Sequence, residues 1–242
     1  HPIGHSLEKG LEVVGQLPEN VELYDDKLYA NEILRRNHLS VPESVTITEE
    51  NSRNYSINFS FPVVIKPIRG PGSEGVALVG SKEKLDQVIA NLFEKESYGK
   101  ALYVEGFLPG EEVTVSVMPP GSYWLGGKLV QKRDYWCLPP VRRFNHKDGI
   151  APYNGVVAVT QNSSVLEDEE LQSIKIKELL AQCGQAAALV NARVPIRIDC
   201  RADVEGNYFL FHLNMNPNMT GASRQNRKDQ ESLTAIAARK IG

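Results

Sequence analysis

The chain has 242 residues, 41% hydrophobic and 24% charged, which is ordinary globular composition at a length that can bury a sizeable core. Its net charge is −3, and its 27 basic residues are scattered, with no group denser than pairs such as Arg35-Arg36, Lys132-Arg133 and Arg142-Arg143, so nothing recommends a nucleic-acid partner. No apolar run approaches the roughly 18 residues that span a bilayer, so no membrane partner is expected.

The opening His1-Pro2-Ile3-Gly4-His5 has neither the basic start nor the apolar core of a signal peptide, and without an initiator Met it reads as a fragment or processed product. Leu11, Val13 and Val14 suggest a short helix. Lys27 to Arg36 reads as a helix with Asp25 or Asp26 as N-cap and Leu28, Ile33 and Leu34 inward, ended before Val41-Pro42. A polar loop runs from Glu49 to Ser60. Pro62–Pro67 and Val76–Val79 are short β-branched runs joined by a glycine-rich connection. Ser81 then caps a helix to about Glu96, and Ala101–Glu105 and Glu112–Met118 are strands, the second with Val113, Val115 and Val117 on one face. Gly121 to Val130 completes a hairpin.

From Arg133 to Asn154 the pattern loses its period, as in a long functional loop. Glu167 to Ala192 reads as one helix, with acidic residues at its N-terminal end and a stripe of Leu171, Ile174, Leu179, Cys183, Ala186 and Val190. Ile196–Asp203 and Asn207–Leu213 flank a Val204-Glu205-Gly206 turn. The fold class expected is α+β, antiparallel sheets covered by helices. Cys137, Cys183 and Cys200 are odd in number and lack metal spacing; they suit a reducing, cytoplasmic compartment and read as small buried hydrophobes.

Two segments carry chemistry. Lys66-Pro67-Ile68-Arg69-Gly70-Pro71-Gly72-Ser73-Glu74-Gly75 lies between strands; its glycines let backbone N–H groups approach a phosphate, and its lysine adds charge. It is also compatible with a plain hairpin turn and an exposed lysine, and it is no P-loop. Arg197-Ile198-Asp199 on one strand faces His212-Leu213-Asn214 on its partner, with residues 212 and 214 on one face. Aspartate and asparagine oxygens suit Mg²⁺, whereas imidazole favours softer metals. The stretch from Asn214 to Ser223 is a polar turn. A merely solvated hairpin face is the plain alternative.

In order and internal spacing these segments resemble the ATP-grasp fold and, within it, the D-alanine–D-alanine ligases. The resemblance implies two α+β subdomains whose antiparallel sheets grip a nucleotide: residues 1–20 as the remnant of an N-terminal domain, 21–108 as the central subdomain and 109–242 as the catalytic one. Carried over, Lys27, Lys66, Gly72 and Ser73 would meet ATP phosphates. Glu105 with the backbone of Phe107 and Leu108 would meet adenine, and Glu112 the ribose. Asp199, His212 and Asn214 would stand at the metal positions, for Mg²⁺ or Mn²⁺ in its stead. Arg197 and the Asn218 amide would stabilise an oxyanion, Ser223 would hold a substrate carboxylate, and Lys147 would be the lid lysine. The implied activity is ATP-dependent joining of two small amino or carboxylic acids through an acylphosphate, in a cytoplasmic protein, often a homodimer. The sequence departs from the family at three places. His212 stands where the family has a glutamate bridging two metals. Asn218 replaces a glycine, a position a left-handed Asn could fill. Most of the N-terminal domain is missing. A nucleotide-binding protein that has lost catalysis through His212 is the alternative.

Overall fold

The computed structural model describes residues 13–69, 75–95, 98–146, 149, 159–221 and 231–242. Helix α1 (Pro18–Tyr24) starts on a proline, whose missing N–H is one that a first turn leaves unused. Helix α2 (Lys27–Arg36) is capped by Asp26, whose carboxylate accepts from the Tyr29 N–H at 3.0 Å. Strands β1 (Ser44–Thr48), β2 (Val63–Pro67) and β3 (Ala77–Val79) precede helix α3 (Lys82–Glu94), capped by Ser81 as expected, and strand β4 (Ala101–Gly106). These strands form an antiparallel sheet in the order β1-β4-β2-β3. Leu85, Ile89 and Leu92 of α3 recur at helical spacing and pack on Ile47, Val63, Ile65, Leu102 and Val104.

Strand β5 (Glu112–Met118) leads into the hairpin of β6 (Gly121–Leu125) and β7 (Lys128–Lys132), then β8 (Trp136–Cys137), β9 (Val141–Arg143) and β10 (Ser163–Val165). Helices α4 (Asp168–Leu171) and α5 (Ile174–Leu189) follow, then the paired strands β11 (Ile196–Ala202) and β12 (Tyr208–Asn214) and helix α6 (Leu233–Arg239). The second sheet is also antiparallel, ordered β10-β9-β5-β11-β12 with β8 added to β5. Strict alternation organises it. Val113, Val115 and Val117 with Ile196, Ile198 and Cys200 all turn to one face and bury against α5. Glu112, Thr114 and Ser116 with Arg197, Asp199 and Arg201 must therefore occupy the other.

Several expectations are corrected. The stretch from Arg133 to Asn154 is not wholly irregular, because β8 and β9 pair with β5 inside it. The helix expected from Glu167 to Ala192 is broken. Glu170 reaches back to the Glu167 N–H (2.8 Å) and closes a separate turn, and α5 restarts after Ser173, which leaves Ile174 exposed while Leu179, Cys183 and Ala186 stay buried. Elements α1, β1, β10 and α6 were not anticipated. Of the expected first helix only Val13 and Val14 are described; they are not helical, and Val14 is exposed.

The two sheets meet closely. Gly110, just after the hinge, donates its N–H to the Ala202 carbonyl at 2.9 Å; a Cβ there would lie 2.7 Å from the carbonyl oxygens of both Ala202 and Asp203, so only glycine fits. Asn31 of α2 donates to the Tyr103 hydroxyl at 2.9 Å, and Leu34, Leu39 and Val41 continue into the second sheet's core. No helix among the described residues is long and apolar enough to cross a membrane.

Candidate functional site

The first sheet contributes a buried ion pair. Register sets Lys66 of β2 opposite Tyr103 and its neighbour Val64 opposite Glu105, so Lys66 and Glu105 leave the same face as diagonal neighbours. Lys66 Nζ donates to Glu105 Oε1 at 2.6 Å and to the Phe211 carbonyl at 3.3 Å, between the rings of Tyr103 and Phe211 at 5.3 and 5.5 Å. One lysine thereby ties both sheets together, and at 4% exposure it is not the exposed turn lysine of the plain reading. Glu105 Oε2 is buried without any partner. Lys27 lies close enough to feel Lys66: burial first, and the Lys66 charge second, push its amine below the usual lysine range. It donates to the Ile68 carbonyl at 3.4 Å. Two buried ammonium groups held near one another suit a polyanionic ligand.

At the hinge the Phe107 N–H is already committed to the Pro62 carbonyl at 3.2 Å, and the Phe107 ring stacks under Arg201 at 4.6 Å. Glu112, first residue of β5, is buried; its Oε2 faces His146 Nε2 at 2.8 Å and Arg201 Nη1 at 3.5 Å. Arg201 also donates to the Gly149 and Gly110 carbonyls, at 2.6 and 3.3 Å.

Asp199 is the centre of the second sheet's polar face. Register pairs it with Thr114 on one side and His212 on the other, and pairs Arg197 with Asn214. Asp199 Oδ1 accepts from the Thr114 hydroxyl (2.8 Å) and Arg197 Nε (3.2 Å); Oδ2 faces Arg197 Nη2 (3.3 Å) and His212 Nδ1 (3.1 Å). Burial alone would raise its pKa, but Arg197, then His212, then Thr114 outweigh it and hold the carboxyl well below the usual range. Asn214 Oδ1 accepts from the Asn216 N–H at 3.0 Å, and Asn218 Oδ1 from the Thr220 N–H and hydroxyl at 3.0 and 2.8 Å, so these amides cap the turn that carries them. Asn218 is not left-handed: among the described non-glycine residues, positive φ occurs at His38, Asn145 and Asn191.

The fold thus gathers Lys27, Lys66, Glu105, Phe107, Leu108, Glu112, Arg197, Asp199, His212 and Asn214 around the seam between the sheets, with Asn218 on the turn beyond. Gly72, Ser73, Lys147 and Ser223 lie outside the described residues. The oxygens of Asp199 and Asn214 fit one hard cation completed by phosphate and water. They do not fit a bridged pair, because His212 brings an imidazole where a second carboxylate is needed, and the described residues hold no cluster of three His, Cys, Asp or Glu able to bind a metal. Arg143, His146, Thr114 and Arg201 also line this face and were not anticipated; the alternation of β5 and β11 was the signal that could have found Thr114 and Arg201.

A family model described as "D-ala D-ala ligase C-terminus" matches residues 33–232. The D-alanine–D-alanine ligase of Aquifex aeolicus is 28% identical over 202 residues, covering 82% of this chain and 60% of that protein. A Francisella tularensis D-alanine–D-alanine ligase is 26% identical over 203 residues, covering 82% and 59%. The chain spans about 60% of the length of such curated relatives. Among solved structures, a Bacillus anthracis D-alanine–D-alanine ligase complexed with ATP superposes with a TM-score of 0.64 at 21% identity, covering 98% of this chain and 72% of that one. The VanG D-Ala:D-Ser ligase of Enterococcus faecalis gives 0.66 at 20%, covering 97% and 65%.

Proposed function

The chain belongs to the family of D-alanine–D-alanine ligase C-terminal domains, with the ATP-grasp fold, and from that premise we propose that it binds ATP at the seam and uses it to join two small amino or carboxylic acids. The observation that carries the nucleotide reading is Glu105. One of its oxygens is taken by Lys66 and the other is buried with no donor, an arrangement that costs free energy until a ligand supplies an N–H. The exocyclic amine of adenine is such a donor. With the Phe107 amide committed to Pro62, the Leu108 amide is the hinge donor for the base. Glu112 accepts the ribose hydroxyls, exchanging contacts with His146 and Arg201, and Lys66 and Lys27 neutralise phosphate, joined by Gly72, Ser73 and Lys147.

In this reading, residues 21–108 supply the nucleotide floor and 109–242 the chemistry. A Mg²⁺ ion, or Mn²⁺, held by Asp199 and Asn214 would supply charge neutralisation at the phosphates when bound. Arg197 and the Asn218 amide stabilise the oxyanion that forms as an amine attacks the acylphosphate, with Ser223 on the second substrate's carboxylate. The acting protein is cytoplasmic and a homodimer. The alternative, nucleotide binding without ligation, draws on His212, which meets Asp199 at the place of a metal-bridging carboxylate. Calorimetric titration with MgATP, followed by ADP release over a panel of D- and L-amino acids, separates the two. The ligase reading expects ADP release with at least one acid pair. Nucleotide binding with silence across the whole panel would overturn it in favour of the alternative.

A further inference from the structure

Arg143 ends β9 on the polar face of the second sheet, directly opposite Glu112 in register, and none of the roles assigned above uses it. It is more than nine-tenths buried. A guanidinium carries five N–H donors and never sheds its charge, so burial demands partners. Arg143 has few. Nε is buried without one, and Nη2 reaches Asn162 Oδ1 only at 3.5 Å. Turning the Asn162 amide so that it donates to Val159 O (2.9 Å) and Ser163 Oγ (3.2 Å) brings its oxygen to 3.3 Å, which leaves Nε as it was. The carboxylates that Arg143 senses, Asp199 and Glu112, are each engaged elsewhere, by Arg197 and His212 and by His146 and Arg201.

The neighbouring Arg142 shows what a satisfied arginine looks like in this strand. It turns to the opposite face and bridges Glu111 and Glu170. Arg143 keeps a cation in a dry position with a donor unspent, beside the carboxylate assigned to the ribose. That is the placement of an anion-binding group, and the anion that enters next to a ribose is a phosphate.

We propose that Arg143 holds a phosphate of the bound nucleotide, supplying there part of the positive charge that a bridged second metal ion cannot provide at His212. The inference rests on the reading of the seam as an ATP site. Its test is calorimetric titration of wild type, Arg143→Met and Arg143→Lys with adenosine, ADP and ATP, with thermal melting of each protein free of ligand. Charge-assisted hydrogen bonds are worth enough that Arg143→Met should weaken ADP and ATP by about tenfold or more. Adenosine should bind all three proteins alike, Arg143→Lys should recover part of the loss, and the unliganded Met variant should melt no lower than wild type, since it buries no unpaired cation. ATP affinity unchanged in Arg143→Met would overturn the proposal and leave the nucleotide site standing. Equal losses for adenosine and ATP would overturn it in favour of a structural role. A wild type that binds no adenine nucleotide would remove the underlying reading and this inference with it.

Discussion

The two sheets bury charge at the seam in different ways. In the first, Lys66 and Glu105 form a pair nearly closed to solvent, and one carboxylate oxygen is left without a donor. In the second, Asp199 is held on both oxygens by Arg197, and further by Thr114 and His212, all from this chain. The first site is incomplete until something brings a hydrogen-bond donor; the second is complete alone and must be opened to receive a cation. In the function proposed above, the nucleotide end would thus be preorganised for its ligand, whereas at the catalytic end a cation would compete with an arginine and a histidine for the same carboxylate.

The sharpest way to break this contrast is Lys66→Ala. Glu105 would remain buried with both oxygens unpaired, and removal of one partner from a buried ion pair costs about 3–5 kcal/mol. Urea denaturation should show that loss, and titration should show ATP binding strongly weakened. Replacing both residues (Lys66→Met with Glu105→Leu) should restore much of the stability and none of the binding. A Lys66→Ala protein as stable as wild type would mean that the pair is not the buried anchor described here.

Asp199→Asn comes next. It keeps the shape but leaves Arg197 without its counter-charge and His212 without its carboxylate partner, at a cost of about 2 kcal/mol, reduced from the fully buried case by the partial exposure of the site. Its pH signature is distinctive. The Asp199 carboxyl is held below its usual range in the folded protein, so its contribution is fully present above the unfolded pKa of about 4 and is lost as pH falls through that value towards the folded one. Denaturation midpoints of wild type should fall as pH drops from 5 to 2. Asp199→Asn should flatten that slope; an identical slope in both proteins would place the titrating group elsewhere.

His212→Glu tests the second half of the comparison directly. Without metal, a carboxylate 212 would face Asp199 across the register pair and lower the melting temperature. With Mg²⁺ the same pair should gain affinity for the cation, so the variant's melting temperature should rise with Mg²⁺ far more than wild type's. ADP release faster than that of wild type would identify His212 as a limit on turnover. No response to Mg²⁺ would show that the other ligands, not His212, limit the site.

Much of this site could be read in the sequence because strand alternation is strict. Once Val113, Val115 and Val117 are assigned inward, Glu112 and Thr114 must face the other way, and Arg197 and Asp199 share their face. The turn at Gly206 alone would set Phe211 opposite Asp199; a register shift between Asp199 and Cys200, which local pattern does not announce, brings His212 opposite Asp199 and Asn214 opposite Arg197. Other features depend on contacts that local pattern does not encode. Lys66 looks like a turn lysine until the second sheet places the Phe211 carbonyl and ring against it. Arg142 and Arg143 look like one surface pair, yet one is bridged by carboxylates and the other is buried, because β9 lies between β5 and β10, both brought to it from a distance along the chain. The break at Ser173 was hidden because the apolar stripe runs on through Leu171 and Ile174, while the acidic run closes its own turn.

The smallest effect should come from the cysteines, and it tests whether the contrast is confined to the seam. Cys183 and Cys200 lie 3.8 Å apart, Sγ to Sγ, buried on the apolar face of the second sheet, and Cys137 donates to the Leu180 carbonyl nearby. Burial pushes all three thiols up, so none is poised as a nucleophile. Cys183→Ala removes one buried atom on the side of the sheet opposite Asp199, and its cost should be about 1 kcal/mol of stability through lost packing. ATP affinity should be unchanged. An ATP affinity that fell as far as in Lys66→Ala would show that the helix α5 face is coupled to the nucleotide seam and that the two sheet faces are not independent.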